Sequence, residues 1–105
     1  MLGNLGELAK LMSKAKDIQA AMKAMKEDMP KMEFSATGAN TGVKVTVSGD
    51  FMIKAVEIPA GAETSSLLAE EIRMAANSAV AAAKSTIQER MKSATGDLGI
   101  DLPML

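Results

Sequence analysis

Apolar residues recur along the first thirty positions at intervals that alternate between three and four. This heptad seam consists of Leu8, Leu11, Ala15, Ile18, Met22, Met25 and Met29. Its period of 3.5 is typical of a helix that packs lengthwise against another helix. The pattern predicts a first helix that begins at Asn4 or Leu5, with Asn4 as the N-cap. Pro30 predicts its end at Asp28 or Met29.

The middle of the chain changes to a period of two, which is typical of strands. Valine alternates with polar residues from Val43 to Ser48, a pattern that predicts a half-buried strand. A shorter strand is predicted before it, from Met32 to Thr37. The residues Ser48-Gly49-Asp50 favour a tight turn, after which a third strand runs from Phe51 to Ile58.

The third strand has apolar residues on both of its faces. Phe51, Ile53 and Ala55 share one face, whereas Val56 and Ile58 fall on the other. Either a bulge near Lys54 shifts the register, or both faces are covered. The sequence leaves both alternatives open.

A second long helix is predicted from about Ser66 to Ala94. Thr64, Ser65 and Ser66 are N-cap candidates, and Gly96 is the C-terminal stop. Its inner face is made mainly of small residues, which allow a sheet or another helix to approach closely: Leu68, Ile72, Ala75, Ala76, Ala79, Ala83 and Ile87. The pattern predicts one domain over residues 1–96 and a flexible tail over residues 97–105, where no period is found.

The lengths of the two helices bear on assembly. At 1.5 Å per residue they would span roughly 36 and 44 Å, whereas a compact domain of this size has a radius of gyration of about 13 Å. Both helices would therefore project past a small sheet. The chain has only two aromatic residues, Phe34 and Phe51, so its core is limited. A homodimer is predicted because a projecting apolar seam needs a partner.

The residues needed for catalysis are scarce. The chain has no cysteine and therefore no thiolate metal site, and it has no histidine, which removes the commonest general base and the commonest metal ligand. The acidic pairs Glu27/Asp28 and Glu70/Glu71 are helix neighbours whose side chains diverge, and Asp97/Asp101 lies in the tail. We therefore expect no enzyme, no catalytic residue, no metal, no cofactor and no small-molecule substrate.

The sequence also bears on location. The first seven residues lack a basic region followed by an apolar run, and the most apolar stretch, Ala79 to Ala83, is far too short to span a membrane. The prediction is a cytoplasmic protein without a membrane partner.

Basic residues could still contact DNA, although the net charge of −1 is unlike that of most nucleic-acid-binding proteins. On the sequence alone, a solvated face with local pairs such as Lys23 with Glu27 is the simpler interpretation. In a dimer, however, each basic stripe is duplicated, and two stripes can straddle a duplex. The helices have no aromatic residue to stack on bases, which disfavours single strands. The candidate phosphate contacts are Lys10, Lys14, Lys16, Lys23, Lys26, Arg73, Lys84, Arg90 and Lys92.

Five short motifs carry a resemblance to a known family. They are Gly3-Asn4-Leu5, Leu11-Met12, the stretch from Gly42 to Gly49, Val56-Glu57-Ile58, and the stretch from Ala75 to Ala79. In this order and at these separations they resemble the YbaB/EbfC family of bacterial nucleoid-associated proteins. The resemblance covers essentially the whole chain.

The resemblance implies an α+β fold with a long N-terminal helix, a three-stranded antiparallel sheet and a long C-terminal helix. It implies an intertwined homodimer whose helices project like tweezers, bind double-stranded DNA in the nucleoid and alter its conformation. Gene regulation, nucleoid organisation and DNA protection are the roles it implies. The family has no catalytic or base-reading motif to transfer, so the basic residues above stay the candidates. Asp97, Asp101 and the net charge predict weak, salt-sensitive binding.

The alternative is a protein-interaction adaptor that does not bind DNA. The coiled-coil-like first helix and its surroundings are rich in methionine, at Met12, Met22, Met25, Met29 and Met32. Methionine surfaces adapt to varied partner helices. Core or seam packing is the more common role of methionines at this spacing.

Overall fold

A computed structural model describes the backbone of residues 2–95 and the side chains from residue 5 onward. Along the chain, a long helix comes first, three strands of one sheet follow, and a second long helix comes last, with one 3-10 turn after the first helix and another before the second. The elements are α1 (Leu2–Asp28), a 3-10 turn (Met29–Lys31), β1 (Glu33–Thr37), β2 (Lys44–Ser48), β3 (Ile53–Glu57), a 3-10 turn (Ala62–Thr64) and α2 (Leu68–Thr95). The predicted α+β class and element order are confirmed. The predicted tail, residues 97–105, lies outside the described residues.

The helix starts differ from those predicted. The first helix begins at Leu2, so Asn4 lies inside it and the prediction of Asn4 as N-cap is wrong. Terminal turns contribute little energy, and sequence signals place them only to within a turn. The second helix begins at Leu68 because the Ser65 hydroxyl accepts a hydrogen bond from the Leu67 amide, 3.1 Å away, and closes a turn ahead of it.

The core lies between α2 and two of the three strands. The strands are antiparallel in the order β1-β2-β3, and α2 lies over β1 and β2. Small side chains allow the helix to approach the sheet closely, as predicted. The buried cluster consists of Val45, Val47, Ala75, Ala79 and Ala83.

A β-bulge in β3 resolves the two alternatives left open by the sequence. Val47 pairs with Ile53 whereas Thr46 pairs with Ala55, so Lys54 is the extra residue. Because paired side chains of antiparallel strands point to the same face, the bulge brings Ile53 to the face occupied by Val47. By the same pairing Val56 joins Val45 on that face. The bulge alternative is therefore confirmed.

The turn between β2 and β3 lies where the sequence predicts it. The Phe51 amide donates to the Ser48 carbonyl oxygen over 3.0 Å, and the Ser48 hydroxyl donates to the Asp50 carboxylate. Phe51 adopts a φ of 66°, in the left-handed region that few non-glycine residues occupy. Its side chain is half-buried against the core.

The first helix projects from the rest of the chain. It contacts α2 near its C-terminal end, where Met25 is buried and Arg90 pairs with Asp28. Residues 5–17 are all exposed. The molecule is accordingly elongated, 74 × 20 × 14 Å along its principal axes. The prediction of a projecting helix is confirmed for α1.

Candidate nucleic-acid interface

The five lysines of α1 are all exposed to solvent: Lys16 and Lys23 lie on one line of the helix with Lys10 beside them, and Lys14 and Lys26 flank the heptad seam. We refer to Lys10, Lys14, Lys16, Lys23 and Lys26 together as the α1 lysine stripe. Among the described residues, none of the five forms an ion pair, and the local pair expected between Lys23 and Glu27 is absent. Their charges are therefore free to meet an external anion.

The stripe has a spacing that suits a nucleic-acid backbone. In the heptad frame Lys16 and Lys23 share the same position in successive repeats, on the side of α1 away from the heptad seam. Seven residues advance a helix by about 10.5 Å, which corresponds to about three base-pair steps of 3.4 Å along B-DNA. Two lysines on this line can therefore reach phosphates of one strand.

The candidate cations of α2 fall into two groups. Lys84 and Lys92 are exposed and, in the described part of the chain, form no ion pair. Arg73 makes a bidentate pair with Glu70 on the same helix, so its charge is largely neutralised. The pair with Glu70 holds the guanidinium pKa of Arg73 above its ordinary value.

Arg90 has a role that sequence reasoning missed. Its Nη2 lies 2.7 Å from Asp28 Oδ2, so it joins α2 to the end of α1. The two residues are 62 positions apart, and no local pattern pairs them. The main role of Arg90 is therefore to hold α2 against the end of α1, and this pair helps to set the angle between the two helices that carry the lysines.

The adjacent carboxylates Glu70 and Glu71 diverge, as predicted. Glu71 is buried and accepts hydrogen bonds from the loop between β1 and β2: from the Thr41 amide and hydroxyl at 2.8 and 2.7 Å, and from the Asn40 amide and side chain at 3.1 and 2.7 Å. Hydrogen bonds from Thr41 and, to a smaller extent, from Asn40 outweigh the effect of burial and lower the Glu71 pKa from 4.5 to about 2. We call this set of hydrogen bonds between Glu71 and the loop residues Asn40 and Thr41 the Glu71 clamp. Sequence reasoning missed it because Glu71 and the two loop residues are about thirty positions apart in the chain.

A shallow cleft lies beside this clamp, between α2 and the end of β1. Its lining includes Ala36, Asn40, Glu71, Met74 and Ser78, with no cation among the residues that border it. The one charged group, Glu71, is already satisfied by the loop. The cleft therefore does not suit a phosphate, and the exposed lysines lie elsewhere.

Two further searches of residues 2–95 bear on the site. No group of three or more acidic side chains is arranged to hold a metal ion in this part of the chain. None of its helices is long and apolar enough to cross a membrane.

Comparison with known proteins places the chain in a family. Residues 4–98 match the YbaB/EbfC DNA-binding family. A nucleoid-associated protein of Cyanothece sp. is 35% identical over 97% of this chain and 90% of its own length. A nucleoid-associated protein of Thermosynechococcus vestitus is 32% identical over 94% and 88%, and one of Nostoc sp. is 35% identical over 97% and 89%. The chain therefore belongs to the YbaB/EbfC DNA-binding family.

Proposed function

We propose that this protein is a nucleoid-associated homodimer that binds double-stranded DNA through the α1 lysine stripe and alters its conformation. The observation that carries the proposal is the exposed, unpaired stripe on a projecting helix, in a member of a DNA-binding family. Gene regulation, nucleoid organisation and DNA protection are the roles such binding would serve, without a catalytic step. The protein would then reside in the cytoplasm, on the nucleoid.

An uncovered sheet face supports the homodimer. Ile53 and Val56 lie on the same face as the buried valines of β2, yet they are 60% and 43% exposed because α2 does not extend over β3. Ile58, two residues after Val56, is also exposed. A second copy placed against this β3 face would bury it, in keeping with the assembly that the family resemblance implies.

The homodimer can be tested with two separate variants, each of which places one lysine on a different face of β3. Val56→Lys places an ammonium group on the uncovered apolar face, where a partner would have to desolvate it. We expect this variant to be a monomer at micromolar concentration by analytical ultracentrifugation. Ala55→Lys, on the opposite face, is the control and should stay dimeric. A Val56→Lys variant that dimerises as the unmodified chain does would contradict the use of this face.

DNA binding is expected to be weak and governed by phosphate contacts. The combined change of Lys10, Lys16 and Lys23 to Gln should lower affinity for a duplex at least about tenfold at about 50 mM salt. It should also make the dependence of log affinity on log salt shallower, by about 0.9 for each phosphate that the variant no longer neutralises. Fluorescence anisotropy across a salt series measures both quantities.

A matched control removes the same charge from other places. Lys31, Lys44 and Lys54 lie outside both helices, and changing them together to Gln alters the net charge by the same amount. We expect the control to bind within about twofold of the unmodified chain, since phosphate contacts are local. Equal losses of affinity in both variants would mean that net charge alone governs binding. Failure of the unmodified chain to bind any duplex at low salt would favour the adaptor alternative.

The effect on DNA shape follows from the dimer. Two α1 stripes held at a fixed separation can engage phosphates on both sides of a duplex, and the cost of bending would be offset by the added contacts. We expect a duplex with dyes at its ends to show a shorter end-to-end distance when the protein is bound. The Val56→Lys monomer, which has one stripe, should leave that distance unchanged.

A further inference from the structure

The heptad seam of α1 is covered along only part of its length. Met25 is 4% exposed, whereas four large apolar side chains nearer the N-terminus are 53 to 64% exposed. They are Leu5, Leu8, Leu11 and Met12, which we call the α1 apolar face. Every residue from 5 to 17 is exposed, so neither α2 nor the sheet covers this face. An apolar face of this kind on a projecting helix favours contact with another surface.

The α1 apolar face is self-complementary. Leu8 and Leu11 lie at its centre, and Leu5 and Met12 lie along one edge. When the α1 of a second copy runs in the opposite direction with its Leu11 beside Leu8, its Leu8 lies beside Leu11. On the edge, the partner's Met12 lies next to Leu5 in the same way. The four side chains of each copy are then covered by the same four of the other, which is the pattern of a two-fold interface.

Charges on the other edge of the face favour the antiparallel direction. Glu7 and Lys14 share one heptad position that flanks the seam, across from the edge that carries Met12. In the antiparallel pair Glu7 lies beside the partner's Lys14, and Lys14 lies beside the partner's Glu7. A parallel pair would instead place Glu7 beside the partner's Met12 and Lys14 beside the partner's Gln19, so no opposite charges would meet. Within the part of the chain that the structure describes, neither Glu7 nor Lys14 forms an ion pair, so both are available to a second copy.

The length of this contact fits the exposed part of α1. The overlap covers residues 5–14 of each copy, about 15 Å of helix, and lies within the exposed stretch 5–17. It therefore needs no part of either sheet. Four apolar side chains on each copy are few beside the roughly 20–30 residues a side of a standard interface. The contact is accordingly weak by itself and gains strength where copies are concentrated.

We propose that the α1 apolar face is a second self-association surface, on which the α1 of another copy packs antiparallel with Leu8 beside the partner's Leu11. It shares no residue with the uncovered face of β3, so copies already paired through β3 can be joined arm to arm into larger assemblies. Lys16 and Lys23 lie on the side of α1 away from the seam and stay exposed. This inference does not depend on DNA binding, because it concerns only contacts between copies of the chain.

Disulfide trapping tests the contact and its direction together. The chain has no cysteine, so a Leu8→Cys chain and a Leu11→Cys chain each carry a single thiol. They are mixed in glutathione buffer at about 1 mM, where a contact with a dissociation constant of about 1 mM joins about half of the chains. We expect the mixed disulfide to exceed either self-disulfide at least about tenfold, because a disulfide needs Cα atoms within about 7 Å. Nitrogen-15 in one of the two chains separates the products by mass. An excess of self-disulfides, a statistical mixture, or no disulfide at all would overturn the proposal.

The Val56→Lys change separates this contact from the proposed dimer through β3. Both cysteine chains are prepared with Val56→Lys in addition, and the trapping is repeated under the same conditions. We expect the same excess of mixed disulfide, since the two surfaces have no residue in common. Loss of the mixed disulfide in this background would mean that the arms meet only as part of the β3 dimer, and would overturn the assignment of a second surface.

Charge reversal tests the pairing of Glu7 with the partner's Lys14. Glu7→Lys in both cysteine chains places like charges together at two points and should lower the yield of mixed disulfide about fivefold. Adding Lys14→Glu restores opposite charges and should restore the yield. Asp17→Lys is the matched control, because it changes the charge of α1 by the same amount on the side away from the seam; it should leave the yield unchanged. An unaltered yield in Glu7→Lys, or no recovery in the double variant, would overturn the antiparallel pairing.

Discussion

At the residue scale, Glu71 stabilises a loop that lies about thirty positions away from it in the sequence. A buried carboxylate that accepts hydrogen bonds from two backbone amides, a hydroxyl and a side-chain amide is held in its ionised form. It fixes the loop between β1 and β2 against α2. Because that loop joins the two strands that α2 covers, the clamp stabilises the core near one end.

The clamp predicts a defined dependence of stability on pH. The Glu71 pKa is about 2 in the folded chain against an ordinary value of 4.5, so the unfolded chain binds the proton more readily. The stabilisation is complete above pH 4.5 and is lost as the pH falls towards 2. Glu71→Gln should lower the denaturation midpoint at pH 7 and flatten the acid limb of the stability curve.

Urea denaturation followed by circular dichroism at several pH values measures this difference. Glu70→Gln is the matched control, because Glu70 is an exposed neighbour that pairs with Arg73 on its own helix. An acid limb as steep in Glu71→Gln as in the unmodified chain would contradict the clamp.

Gly38 is required by the same contact. A Cβ on Gly38 would lie 2.5 Å from Glu71 Oε1 and 3.0 Å from Val43 Cγ1. Gly38→Ala should therefore displace the carboxylate and destabilise the fold by about 1–3 kcal/mol. Gly6→Ala, in the exposed part of α1 where a Cβ meets nothing within 4 Å, should instead stabilise by up to about 1 kcal/mol. Thermal unfolding of the two variants gives the comparison, and equal effects would contradict it.

At the scale of the elements, periodicity predicted both helices and all three strands. Periodicity could not show whether β3 contains a bulge or is covered on both faces, because the order of apolar and polar residues in β3 fits both arrangements. The choice depends on pairing with β2, where Val47 and Val45 are already buried against α2. A register shift at Lys54 brings Ile53 and Val56 to the face that Val45 and Val47 occupy, and this face is uncovered at β3 because α2 does not extend over that strand.

The junction of the two helices depends on a long-range ion pair. Asp28 and Arg90 are each partly exposed, so a double-mutant cycle with Asp28→Asn and Arg90→Gln should give a coupling of about 0.5–1 kcal/mol. The Glu70–Arg73 pair, wholly on the surface of α2, is the comparison and should give a smaller coupling, because water and salt screen it more strongly. The measurement is the free energy of unfolding of each variant. A coupling at Asp28–Arg90 no larger than that of the comparison would mean that the pair adds little to the junction.

At the scale of the whole molecule, the heptad seam of α1 is buried in one part and exposed to solvent in another. The heptad seam is continuous from Leu8 to Met29, but α2 covers only its C-terminal part. The exposed part forms an arm that carries the lysine stripe away from the sheet. The proposed dimer would place two such arms on one DNA-binding surface.

The sequence by itself determined the element order, the alanine face of α2, the candidate lysines and the family, since these depend on local periodicity and on motifs at fixed separations. The tertiary structure alone decided the bulge at Lys54, the Glu71 clamp and the pairing of Arg90 with Asp28. It also decided which part of the heptad seam is exposed. Each of these depends on residues distant in the chain, and local patterns hold no information about which distant side chains meet.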